Sequence, residues 1–160
     1  MRASYDFAES ILEFMMAQPT LKAKNCCVVL DHDGTLASED PCANYETFSR
    51  AVDFVKAIKM KYKTRITIAV ITARISKEGL QELYAEHEID DFIDYIMYDE
   101  RRVGTEESKV KNRARLREMG YTIVMAVGDN TVADMIPDSE TSGSKTANIL
   151  LSNVYRHEYD

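Results

Sequence analysis

The sequence predicts an α/β fold, a parallel sheet of about five strands with helices on both faces. Three observations predict it. Short, unbroken apolar runs recur, as in strands buried on both faces. Between them lie segments with apolar residues three or four apart, as in amphipathic helices. The two kinds alternate along the chain, and such alternation builds parallel sheets with crossover helices.

The elements follow in order. Residues 4–18 read as a helix with Phe7, Ile11, Leu12, Phe14 and Met15 on one stripe, ended by Pro19. Cys26–Leu30 is the first strand. A polar loop occupies 37–45. A helix runs from Asn44, a suitable N-cap, to Lys61, with Phe48, Val52, Val55, Ile58 and Tyr62 recurring at helical spacing. Ile66–Ile71 is the second strand. A helix is expected at Ser76–His87, a third strand at Phe92–Tyr98 interrupted by Asp94, and a basic helix at 107–118. Tyr121–Val127 is a fourth strand, followed by a short helix at 131–136 and a fifth strand at Asn148–Leu151. The expected organisation is an N-terminal helical segment, residues 1–24, packed on a single domain, residues 25–160.

Composition narrows the function classes. With 45% hydrophobic and 29% charged residues, the 160-residue chain is ordinary globular protein, long enough to fold without staples. The net charge of −7 disfavours a nucleic-acid partner or an anionic membrane surface. No apolar run approaches the ~20 residues of a membrane span, and no signal peptide opens the chain. Cys26, Cys27 and Cys42 are odd in number, and two are adjacent. They read as reduced thiols filling core space in a cytoplasmic protein. His32, His87 and His157 are too scattered for a His-rich metal site.

In parallel α/β sheets, ligands sit beyond the carboxyl ends of the strands. Those ends carry the chemistry here. The first strand runs into Asp31-His32-Asp33-Gly34-Thr35. The second runs into Thr72-Ala73-Arg74. The fourth runs into Gly128-Asp129-Asn130, with Asp134 four residues beyond Asn130. The basic helix contributes Lys109 or, two positions on, Lys111. A calcium loop also opens Asp-x-Asp, but it needs Gly and Glu where this chain has Leu36 and Cys42.

These residues resemble the haloacid dehalogenase superfamily of phosphohydrolases over about residues 25–155. Its first motif matches Asp31, Asp33, Gly34 and Thr35. Its second matches Thr72, its third a lysine before the fourth strand, and its fourth the pair Asp129 and Asp134. The spacing of Lys109, Arg113, Leu116 and Gly120-Tyr121 is similar to the class III acid phosphatase branch and favours Lys109 as the motif lysine.

The resemblance implies a three-layer Rossmann-like core and a magnesium-dependent phosphomonoester hydrolase. Asp31 is then the nucleophile, forming an aspartyl-phosphate. Asp33 is the general acid and base, protonated at the working pH. Thr72, Ala73, Lys109 and Arg74 are the expected phosphate-binding set, although Arg74 is equally suited to a salt bridge. Asp31, Asp129, the Asp33 carbonyl and Asp134 are the expected Mg²⁺ site. His32 stands where an apolar residue is common and is assigned no role.

The basic run Lys109, Lys111, Arg113, Arg115 and Arg117 reads by default as solvated helix charge, or else as a surface that steers phosphate groups. Superfamily members often insert a cap domain after the first motif or the third strand. Residues 37–44 and 99–107 are too short for one, so the site is expected to be open unless the 37–44 or 136–146 loop covers it. The expected partner is a small phosphorylated substrate such as a nucleotide. Nucleic-acid ends are the alternative substrate. A receiver-like phosphoacceptor or a phosphate-binding module is the non-hydrolytic alternative. A receiver, however, carries its acceptor after the third strand, where this chain has Tyr98.

Overall fold

The computed structural model describes residues 4–36, 44–74, 76–101, 103–141 and 146–151, with backbone alone for 44–48. The elements are α1 (Tyr5–Met16), β1 (Asn25–Leu30), α2 (Asn44–Tyr62), β2 (Ile66–Ile71), α3 (Leu80–Glu86), β3 (Tyr95–Met97), α4 (Thr105–Glu118), β4 (Tyr121–Gly128) and β5 (Ala147–Leu150). All strand pairs are parallel, in the order β3-β2-β1-β4-β5. This is a five-stranded α/β sheet flanked by helices, with the 3-2-1-4-5 order of a Rossmann-like three-layer fold.

Side-chain alternation along the strands splits the core into two layers. Cys26, Val28 and Leu30 face one layer with Ile66, Ile68 and Val70, beneath α1, α2 and α3. Cys27 and Val29 face the other with Ala69, Ile71 and Leu116 of α4. In β4, Val124 and Met125 both face the first layer. The pairing register shifts at the same place, between Cys27 and Val28 of β1, which is a β-bulge in β4. Cys27 is wholly buried, and burial pushes its thiol up to about 12, so it behaves as an apolar filler. Cys42, the Asn44 and Phe48 side chains, His157 and most of the 37–44 loop lie outside the described residues, as do 142–145.

Several expected elements change. In α1 the buried stripe is Ala8, Leu12 and Met16, with Tyr5 and Ile11 packed beside it, while Phe7 and Phe14 are 51% and 66% exposed. The helix carries two apolar faces, and the one with the small Ala8 permits the closer approach to the core. α3 begins at Leu80 and not at Ser76, because Gly79 takes a left-handed conformation (φ +80°) at the cap. β3 is only Tyr95–Met97. Asp94 accepts from the Ile68 N–H (2.8 Å) and pairs with Lys59 (2.7 Å), and a 3-10 turn fills Asp90–Phe92. No helix forms at 131–136. The Asn130 side-chain oxygen takes the amides of Val132 and Ala133 (both 2.9 Å) and holds the segment in turns. No described helix is long and apolar enough to cross a membrane.

Candidate active site

The two central strands deliver the acids. Asp31 follows β1 directly, its N–H donating to the Val127 carbonyl of β4 (3.0 Å). Asp129 follows β4, its carboxylate lying in the space above Gly34. A Cβ on Gly34 would stand 2.1 Å from the Asp129 Oδ2, and Gly34 has φ +78°, so glycine is required twice over. Gly128 is a second close approach, its absent Cβ falling 2.3 Å from the Asp134 Cβ. Asp134 folds back so that its Oδ2 accepts from the amides of Asp129 (3.2 Å) and Asn130 (3.0 Å).

Lys109 enters from the second turn of α4. Its ammonium donates to Asp31 Oδ1 at 2.8 Å and to Asp134 Oδ1. Lys109 is 4% exposed, whereas Lys111 is on the surface, so Lys109 is the lysine at the strand ends. One turn on, Arg113 lies on the same face of α4. It donates to the Ala133 carbonyl (2.9 Å) and forks onto Glu140, which also takes Arg117 (2.8 Å). Asn148 of β5 grips Ile136 through both N–H and carbonyl. The loop carrying Asp129 and Asp134 is thus strapped from α4 and from β5. Arg113 and Arg117 are absorbed in this strap, which corrects their reading as solvated or phosphate-steering charge.

The cluster is rich in negative charge. Carboxylate oxygens of Asp31, Asp129 and Asp134 lie within 4.8 Å of one another, and all three residues are buried. Burial pushes the Asp31 carboxyl well above its ordinary value, against the pull of Lys109 and with the Asp134 and Asp129 charges adding to it. Burial alone would lower the Lys109 ammonium, but Asp31 and Asp134 raise it, so it keeps its charge. The three acids offer hard oxygen donors close enough together to hold a divalent cation.

The other expected residues lie around this cluster. Thr72 is wholly buried at the end of β2, its hydroxyl accepting from the Arg74 amide (3.2 Å). Ala73 beside it is exposed. Asp33 stands outside the carboxylate cluster. Arg74 forks onto both of its oxygens, Nε at 3.0 Å and Nη2 at 2.7 Å. That fork holds the Asp33 carboxyl below its ordinary range, opposite to the protonated state expected of a resting general acid. His32 is buried, with Nδ1 2.8 Å from the Tyr84 hydroxyl, and burial lowers its pKa to about 4. Sequence reasoning missed Tyr84, Glu140 and Tyr5, whose hydroxyl donates to the Thr35 carbonyl at 2.5 Å. Each lies far from its partner in sequence, and no spacing announces it.

Fold and cluster together define an α/β protein of Rossmann-like layout with a buried carboxylate cluster beyond the ends of β1 and β4. No protein-family model and no curated protein matches the chain. Among solved structures it is similar to an uncharacterized protein from Corynebacterium glutamicum, at 11% identity and a TM-score of 0.51. The likeness covers 83% of this chain and 89% of that one, and at this identity it speaks for the fold alone.

Proposed function

We propose that the protein is a magnesium-dependent phosphomonoester hydrolase of the haloacid dehalogenase type, working in the cytoplasm on a small phosphorylated substrate such as a nucleotide. The observation that carries this reading is the convergence of Asp31, Asp129, Asp134 and Lys109 at the ends of the two central strands. Four residues spread over 104 positions of sequence meet in one buried cluster, in the order the motifs require.

In this reading Asp31, whose carboxylate a bound cation would keep ionised against its burial, attacks phosphorus in line, and the bond to the leaving oxygen breaks as the aspartyl-phosphate forms. Lys109 and Thr72, with the Ala73 segment, bind the phosphoryl oxygens as charge moves onto them. Asp31, Asp129, the Asp33 carbonyl and Asp134 would hold Mg²⁺, which supplies charge neutralisation at the phosphoryl group. Asp33 gives a proton to the leaving oxygen. It then takes one from the water that attacks phosphorus and returns Asp31 to a free carboxylate. Arg74 must first release Asp33, since its fork occupies both carboxylate oxygens. An incoming phosphoryl anion competes for the same guanidinium and provides that release.

The alternatives are less well supported. A receiver-like module has the 2-1-3-4-5 strand order, unlike the order here. Action on nucleic-acid ends loses the support of the basic helix, since Arg113 and Arg117 are engaged by Glu140. The test is hydrolysis of p-nitrophenyl phosphate with magnesium. Asp31→Asn should lower turnover by roughly 10³-fold or more. Undiminished activity in that variant, or indifference to chelation, contradicts the proposal.

A further inference from the structure

We infer that α1 belongs to the functional site, with Tyr5 as a positioning residue that holds the Gly34–Thr35 segment as the seat of the Asp129 carboxylate. The inference rests on the metal-dependent reading above and deepens it.

Tyr5 is in the first turn of α1, thirty positions from Thr35, and its hydroxyl donates to the Thr35 carbonyl at 2.5 Å. Three features fix where that hydroxyl points. Ser4 caps the helix by accepting from the Phe7 amide (3.2 Å). Ala8, Leu12 and Met16 anchor the helix in the core. The Tyr5 ring packs on Phe54 of α2 with centroids 5.1 Å apart.

At the other end, Thr35 is wholly buried and its amide donates to the His32 carbonyl (3.2 Å). The next residue towards the N-terminus, Gly34, has Asp129 Oδ2 where its Cβ would be. Any shift of this segment therefore moves the surface on which a cluster carboxylate rests. Without the phenol, the Thr35 carbonyl is a buried acceptor deprived of this donor, and the segment relaxes towards another partner. Groups that orient metal-ligating carboxylates control affinity without touching the ion.

Tyr5→Phe removes the donor and keeps the ring. Calorimetric titration of the full chain with MgCl₂ should show affinity roughly tenfold weaker than wild type. The metal-free melting temperature should fall by no more than several degrees, as expected for one lost buried hydrogen bond. In p-nitrophenyl phosphate hydrolysis, the magnesium concentration for half-maximal rate should rise by the same factor while kcat at saturation is kept. Equal affinity in the two proteins, or a lower melting temperature with unchanged affinity, overturns the inference. A wild type that binds no magnesium overturns the metal reading beneath it, which separates the two failures. If Tyr5→Phe does not fold, Phe54→Leu unseats the ring and leaves the hydroxyl. Weaker magnesium binding supports the inference, and unchanged binding contradicts it.

Discussion

Gly34 and Gly128 are the residues on which the acid cluster closes, each leaving room for a carboxylate side chain where a Cβ would stand. Gly34→Ala should therefore act twice. The left-handed φ costs about 1–2 kcal/mol, and the new methyl displaces Asp129. Thermal melting should show a modest loss of stability, whereas magnesium binding should fall far more than stability does. A variant that binds magnesium normally removes Gly34 from the account. At this scale the sequence was legible where short spacing fixes a residue's place in the fold. Asp31, Thr72 and Asp129 directly follow strands, Lys109 is on α4, and Asp134 lies in the loop after β4, whereas Asp33 stands outside the carboxylate cluster. It was silent where a side chain meets a distant partner. Nothing near Tyr5 announces Thr35, and nothing near Arg74 announces that it grips Asp33 and so reverses that carboxyl's expected resting state.

Among the elements, α4 carries the most consequential difference. Its mean apolar content is low and its cations are many, so it reads as a solvated helix. Yet Lys109 and Arg113 are buried, because each finds carboxylates inside the fold. Glu140, from a 3-10 turn, completes the strap. Burial alone would raise its carboxyl, but Arg113 and Arg117 hold it below its ordinary 4.5. A depressed carboxylate adds stability above its unfolded value, and that stability is lost as pH falls through the folded value. Glu140→Gln should thus destabilise the protein at pH 7, by about 3 kcal/mol if Arg113 is left buried and unpaired. Melting curves of variant and wild type should converge below pH 4.5. A gap that persists into acid shows that the ion pair is not its source. β3, α3 and the 131–136 segment differ from expectation for local reasons. Asp94, Gly79 and Asn130 each offer the backbone a side-chain bond or a left-handed turn that apolar periodicity does not register.

For the molecule as a whole, strand and helix alternation was enough to predict a parallel sheet of about five strands, and the sheet has five. The strand order was not legible, because periodicity does not say which strands are neighbours. That order matters, since it sets Asp31 and Asp129 on adjacent strands where the helices change faces of the sheet. The connections between Leu30 and Asn44 and between Met97 and Thr105 are too short to hold a cap domain. The net charge of −7 also has a partial location: three acids against one ammonium at the site, a local excess suited to a divalent cation. In the proposed mechanism Asp31 becomes phosphorylated during turnover. Wild-type protein turning over p-nitrophenyl phosphate with magnesium is quenched in acid and reduced with borohydride, and its peptides are mapped by mass spectrometry. Reduction of an acyl-phosphate at position 31 to homoserine is expected, dependent on both substrate and magnesium. Sustained hydrolysis with residue 31 recovered only as aspartate would contradict it.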